Sequence, residues 1–262
     1  MTPETSPLAV QLLALARSVA THAGQLLMER PSSFDLTEKS TAIDFATQMD
    51  EKAEAYIVET LLAARPDDGI VAEEGAARES SSGITWVIDP LDGTVNYFYG
   101  LPGWNVSIAA RDSQGSLVGV VNAPTINSIW HAVRGQGAFH NGQAIRSTSG
   151  VSLDRALIGT GFAYDVADRT EQVVMTSTLL PRIRDIRRMG SAAVDLCHVG
   201  MGALDGYFER GLKEWDWAAG ALVATEAGAS VIHRGDGQRK LTIAAGPGLF
   251  TELHDALASV EF

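Results

Sequence analysis

Apolar positions along the chain follow two rhythms, a helical one near the start and a strand-like one after it. Leu8, Leu12, Leu15, Val19 and Leu26 recur at near-helical spacing behind Ser6-Pro7, a capping residue followed by proline. This predicts a long amphipathic helix from Pro7 to about Glu29, stopped by Pro31. The stretch from Phe34 to Thr47 is mixed and polar and reads as a hairpin or a loop. A second helix is expected over Asp50 to Ala64, with Ala53, Tyr56, Ile57, Val58 and Leu61 as its apolar positions. Short apolar runs then predict strands at Gly69–Ala72, Ile84–Ile88, Trp104–Arg111, Leu117–Asn122 and Ile129–Val133, the last three in an antiparallel sheet. Asn141-Gly142 signals a tight turn, and Gly135 and Gly137 are expected to relieve backbone crowding.

From about Val151 strands alternate with helices, which predicts a parallel or mixed α/β unit. Strands are expected at 156–160, 185–189, 204–208, 230–233 and 241–245, and helices at 166–180, 190–199, 215–227 and 249–257. The organisation expected is an α+β half over residues 1–150 and an α/β half over 151–262, packed as one body without internal repeat or long linker.

Composition narrows the class of function. A 262-residue chain with 45% hydrophobic and 20% charged residues is ordinary for a globular protein. A net charge of −12 argues against nucleic-acid or anionic-membrane binding, and means that any phosphate-bearing substrate must be drawn in by a local cation. The single cysteine, Cys197, excludes an intramolecular disulfide and suggests a reducing, cytoplasmic setting. Its apolar surroundings mark it as core filling. Met1 to Pro7 lacks the basic flank of a signal peptide, no apolar run reaches spanning length, and the sequon Asn105-Val106-Ser107 is read as chance. Arg169, Arg182, Arg184, Arg187 and Arg188 form a basic cluster read as a solvated or interface face, and the histidines show no zinc-ligand spacing.

The chemistry concentrates in three places. Trp86-Val87-Ile88 is an apolar strand that breaks into Asp89-Pro90-Leu91-Asp92-Gly93-Thr94. Proline forces a turn nearby, the Leu91 carbonyl is expected to point at a ligand, and Thr94 to cap a helical turn with amides free for an anion. Gly69-Ile70-Val71-Ala72-Glu73-Glu74-Gly75 repeats the pattern of a strand ending in carboxylates, and Asp216 sits between two tryptophans at a helix start. Aspartates aimed at one spot repel unless a cation lies between them, and oxygen-only ligands favour a hard ion such as Mg²⁺.

Glu73-Glu74-Gly75, Asp89-Pro90-Leu91-Asp92-Gly93-Thr94 and Trp215-Asp216-Trp217-Ala218-Ala219-Gly220 together resemble the inositol monophosphatase family, in the family's order and spacing and through nearly the whole chain. The resemblance implies a layered αβαβα sugar-phosphatase fold, a lithium-sensitive phosphomonoesterase using two or three Mg²⁺ ions, and a homodimer. It places one ion on Glu73, Asp89 and the Leu91 carbonyl, another on Asp89, Asp92 and Asp216, and a weaker third near Glu73. Thr94, steered by Asp50, would orient the attacking water, so Thr94, Asp50, Glu73 and Asp92 are the expected catalytic residues. Gly93 and Thr94 would take the phosphate through backbone N–H groups. Gly190, Ser191, Ala192, Glu209, Asp92 and Asp216 would meet the alcohol, and Lys39 in the preceding hairpin joins the substrate residues. Met49 departs from the family pattern, where many members carry threonine, which questions the packing around Asp50. The segment from Arg187 to Cys197 looks most like bacterial inositol-1-phosphate phosphatases; histidinol phosphate, fructose 1,6-bisphosphate and 3′-phosphoadenosine 5′-phosphate remain alternatives. A partner-binding role without catalysis is the contrasting class.

Overall fold

A computed structural model describes residues 6–41, 43–235 and 239–258. The expectation on Met1 to Pro7 falls mainly on residues 1–5, outside the described residues. Helix α1 (Pro7–Met28) starts where expected, and proline rather than the Ser6 hydroxyl sets the start, since that side chain makes no capping bond. The stretch after it is a hairpin of β1 (Leu36–Glu38) and β2 (Phe45–Thr47). It leads straight into α2 (Gln48–Ala64), which begins two residues ahead of the expected Asp50 because Thr47 and Asp50 form a reciprocal capping box.

The first sheet contains β3 (Gly69–Ala72), β4 (Ala77–Arg78), β5 (Thr85–Asp92), β6 (Asn105–Asp112), β7 (Gly115–Ala123), β8 (Ser128–Val133), β9 (Ala138–His140) and β10 (Gln143–Ala144), with the short helix α3 (Thr94–Tyr99) between β5 and β6. Its strand order is β10-β9-β8-β7-β6-β5-β3-β4, and β3 and β5 run parallel while the other pairs are antiparallel. One expectation is corrected here. The strand does not stop at Ile88 and turn near Pro90; β5 carries on to Asp92, and the proline sits in a register shift between Asp89 and Asp92 where no ladder donor is needed. Gly135 and Gly137 also have another role than relieving crowding, because nothing lies within 4 Å of a Cβ built on either. Both adopt positive φ, 76° and 82°, and their amides donate to the Glu226 carboxylate.

The second sheet contains β11 (Leu157–Thr160), β12 (Asp185–Arg187), β13 (Gly206–Arg210), β14 (Ser230–Arg234) and β15 (Leu241–Ala245) in the order β12-β11-β13-β15-β14. The first three are parallel and β15 is antiparallel to both neighbours, so the sheet is mixed, as expected. Helices α4 (Val166–Leu179), α5 (Ala192–Met201), α6 (Glu214–Glu226) and α7 (Leu249–Ala258) complete the chain.

Side-chain alternation on β5 shows how the layers stack. Trp86 and Ile88 face Leu12 of α1 and Ile57 and Leu61 of α2, while Val87 faces the other way, onto Ala193, Cys197, Ala219 and Val223 of α5 and α6. The far sides of α5 and α6, with Leu196, Val199 and Ala224, cover Tyr207 and Ala244 of the second sheet. Met175, Leu179, Leu253 and Leu257 of α4 and α7 close its outer face over Ile158, Phe208 and Ile243. The result is an α–β–α–β–α stack in which α5 and α6 are the shared middle layer.

That middle layer is thin because small residues line it. A Cβ on Gly119 would stand 2.9 Å from the Ala219 carbonyl oxygen, and one on Gly220 would stand 2.8 Å from that of Ala193. Both obstacles are backbone, so neither can step aside. Gly220→Ala is therefore expected to destabilise the fold by about 1–3 kcal/mol through overpacking. Urea denaturation should show the lowered midpoint; an unchanged or raised midpoint would contradict the close approach.

Candidate active site

Because β3 and β5 are parallel neighbours, with Ala72 opposite Ile88, their carboxyl ends emerge on the same side of the sheet. Glu73 leaves β3 with its amide on the Ile88 carbonyl at 3.2 Å, next to Asp89. The turn behind it is clamped by Glu54 of α2, whose carboxylate accepts from the amides of Glu74 (2.8 Å) and Ala76 (3.0 Å). Asp89 folds back so that Oδ1 accepts from the Leu91 amide at 3.0 Å, an Asx turn that shapes the register shift.

Two more helix starts converge on the same place. Ser191 caps α5, accepting from the Val194 amide at 3.1 Å, and its hydroxyl donates to Asp92 Oδ2 at 2.5 Å. The Ala193 amide (3.1 Å) and Asn105 Nδ2 (3.3 Å) donate to the same oxygen. Asp216, in the first turn of α6, accepts from the Lys213 amide at 2.6 Å. Gly93, with φ 88°, is the cap residue of α3 and packs against the Gly190 carbonyl. Thr94 is thus the first helical residue rather than the cap. Its hydroxyl turns back to Asp50 Oδ1 (2.9 Å) and the Leu91 carbonyl (3.0 Å). Asp50 is fully buried, and its other oxygen takes the Thr47 amide (2.8 Å) and hydroxyl (2.6 Å). Met49 leaves this network intact, because Thr47 supplies the bonds and the methionine goes into the core.

All the expected site residues except Asp50 line one pocket, which runs from Lys39, Glu73 and Asp89 past Thr94 to Ser191 and Glu209. Burial, then repulsion from Glu73, Asp92 and Asp216, holds Asp89 well above the usual carboxylate range. Asp216 is raised by the same two causes, burial and the charges of Glu73 and Asp92. Burial lifts Asp92 to about 6, against the three donors on Oδ2. Burial also raises Asp50, with the Thr47 and Thr94 bonds opposing it. Among the described residues no three of these side chains stand as a closed ligand sphere. The donor set itself, buried carboxylate oxygens repelling one another beside the Leu91 carbonyl, nonetheless fits a hard divalent cation.

Lys39 reaches the acidic end and not open pocket space: Nζ bridges Glu73 (2.9 Å) and Glu74 (2.7 Å). Burial would lower its pKa, but those two charges outweigh burial and raise it. Glu74 in turn is pushed up to about 7, chiefly by burial. At the other end, Glu209 is not the residue after a strand but lies inside β13, and burial lifts it to about 7 while the Tyr207 hydroxyl donates to Oε2.

Several residues here escaped the sequence reading. Arg188, assigned to a solvated basic face, lines the pocket and opposes the rise of Glu209 and Asp195. Asp195 is 1% exposed with Oδ1 unpartnered, and Asn105, dismissed as a chance sequon, holds Asp92 and Ser191. Only Thr47 carried a readable signal, its Thr-x-x-Asp capping spacing.

Asp92 at about 6 and Glu74 and Glu209 at about 7 stand above the unfolded-chain range near ~4. Without a cation, the folded state therefore binds more protons than the unfolded chain between about pH 4 and 7, so these groups lose stability for the fold as pH rises through that window. Thermal melts in chelator are expected to give a higher Tm near the bottom of that window than above it, and Glu209→Gln should narrow the difference. A Tm that climbs with pH in both proteins would contradict the electrostatics.

The model described as the inositol monophosphatase family matches residues 9–260. The inositol-1-monophosphatase of Mycobacterium bovis is 41% identical over 231 residues, 84% of this chain and 80% of its own length. A Pasteurella multocida protein named Nus factor SuhB is 41% identical over 251 residues, 92% of this chain and 94% of its own. Among solved structures, the extragenic suppressor protein suhB of Bartonella henselae superposes with a TM-score of 0.88 at 31% identity, covering 94% of this chain and 98% of its own. Fold, acidic pocket and sequence thus agree, and the chain belongs to the inositol monophosphatase family of phosphomonoesterases.

Proposed function

We propose that the protein hydrolyses inositol 1-phosphate to myo-inositol and phosphate, with Mg²⁺ as cation and water as nucleophile. The observation that carries this reading is the convergence of Glu73, Asp89, Asp92 and Asp216 in one pocket, where burial and the neighbouring charges raise the three aspartates, beside the Thr94–Asp50 pair. Glu73, Asp89 and the Leu91 carbonyl would hold one ion, Asp89, Asp92 and Asp216 a second, and Glu73 would face a weaker third. Bound Mg²⁺ supplies the positive charge that admits a phosphate dianion and lowers the pKa of water. The chain does the rest. The Gly93 and Thr94 amides at the start of α3 receive phosphate oxygens. The Thr94 hydroxyl points its proton toward Asp50 Oδ1 and the Leu91 carbonyl, so Oγ1 presents lone pairs that accept a hydrogen bond from the water and aim it at phosphorus. The water oxygen bonds to phosphorus as the bond to the alcohol oxygen breaks, and the proton that the water gives up ends on the departing alkoxide, so that the products are the alcohol and phosphate.

Asp92 Oδ2 is saturated by three donors, which leaves Oδ1 for the ion and the alcohol. Glu209 and the α5 start accept and donate to the sugar hydroxyls. The single buried Cys197 supports a reducing, cytoplasmic setting, and the family resemblance supports a homodimer. Among the described residues no helix is long and apolar enough to cross a membrane. The name Nus factor on the Pasteurella relative favours, as a second reading, a role through a protein partner. Full cellular function in an inactive Asp92→Asn protein would establish it.

Phosphate release is expected to stop in chelator and return with Mg²⁺, and lithium is expected to inhibit as a competing cation. Asp92→Asn should cut kcat/KM on the order of a hundredfold or more. Glu74→Gln should cost far less, since Glu74 contacts Lys39 and not the proposed ion sites. Equal losses in both would tell against these roles. Comparing kcat/KM for inositol 1-phosphate, histidinol phosphate and fructose 1,6-bisphosphate tests the substrate; a preference for histidinol phosphate would make Glu209 the seat of an ammonium group.

A further inference from the structure

The register of β11 against β13 pairs Gly159 with Tyr207 and Thr160 with Phe208, which makes Gly161 and Glu209 the next pair along. Alternate glycines thus face alternate polar side chains across two parallel strands. The Thr160 hydroxyl, donating to the Phe208 carbonyl at 2.8 Å, ties the strand end in place. A Cβ on Gly161 would fall on the Glu209 carboxylate, far inside the 3.0 Å that real Cβ atoms keep. The carboxylate therefore occupies the volume where any other residue at 161 would carry its side chain. Tyr207 holds it there by donating to Oε2, which leaves Oε1 as the oxygen able to meet a ligand, with Arg188 at the pocket rim.

We propose that Gly161 is a specificity-determining position: its missing side chain lets Glu209 lie back against the strand, opening the alcohol end of the pocket to alcohols that carry hydroxyls besides the esterified one. Gly161 is a positioning residue that acts through Glu209. The inference rests on the phosphatase reading above and adds to it the element that sets substrate breadth. Gly161 does not have positive φ, and the group in its way is the end of a flexible side chain, so alanine there displaces Glu209 without straining the backbone.

The test is a double-mutant cycle on the ratio of kcat/KM for inositol 1-phosphate to that for p-nitrophenyl phosphate, whose leaving group has no free hydroxyl. Gly161→Ala is expected to lower this ratio by about tenfold or more, the scale of one hydrogen bond to a charged group. In a Glu209→Ala background, where the space is empty, the same change should alter it by less than about twofold. Tyr207→Phe, which releases Oε2, should move the ratio in the same direction as Gly161→Ala. Equal effects of Gly161→Ala in both backgrounds, or loss on both substrates alike, would overturn the proposal. A wild-type protein that hydrolyses neither substrate would sink the phosphatase reading instead. Calorimetric affinity for free myo-inositol would then decide for Gly161, by falling in Gly161→Ala but not further in the double variant, or against it by staying equal.

Discussion

Four carboxylates that repel one another are gathered into one pocket, and this repulsion is the constraint on which the rest of the structure depends. Burial and mutual charge push Asp89, Asp92 and Asp216 upward together. Neutral donors hold each of them in place: the Leu91 amide for Asp89, Ser191, Ala193 and Asn105 for Asp92, and the Lys213 amide for Asp216. Such bonds fix geometry without cancelling charge, so the pocket keeps an appetite for cations. Lys39 already answers it in part by bridging Glu73 and Glu74. Outer partners of this kind orient the first ligands of a metal site.

The layered fold is what delivers these groups to one point. The parallel pair β3 and β5 ends on one edge of the first sheet, and the starts of α3, α5 and α6 meet that edge from the other side. Helix starts are natural places to bury acid, since their amides are unpaired and their dipoles favour negative charge. Glycine at 119 and 220 brings the middle helices close enough for this, and glycine at 161 leaves the volume that the Glu209 carboxylate fills on the opposite wall. Absent side chains therefore shape the pocket as much as present ones.

Much of this was legible in the sequence, for reasons that differ by residue. The longer helices and strands followed from periodicity, because each has a wet face or a short apolar run bounded by turn residues, whereas β4, β9 and β10 are too short to show one. Asp89, Asp92 and Glu73 declared themselves because apolar strands ended in acid, and Asp216 through the family spacing around it. What stayed hidden depended on partners far along the chain. Arg188 reads as one more surface arginine until Glu209 and Asp195 are seen behind it. Asn105 reads as a sequon until it is found bonded to Ser191, 86 residues away. The continuation of β5 through Pro90 was missed because a register shift removes the need for the donor that proline lacks.

The shared middle layer also sets the order in which a newly made chain becomes active. The second face of the first sheet, with Val87, Ala109, Val121 and Trp130, is covered by α5 and α6, which come later in the sequence. Until α6 emerges during synthesis that face lacks half of its cover, and Asp216 is not yet part of the pocket. Contacts of such long sequence separation close slowly. Completing the pocket is therefore a late event in the making of this chain: one cut short before residue 216 lacks both Asp216 and the α6 cover of its first sheet.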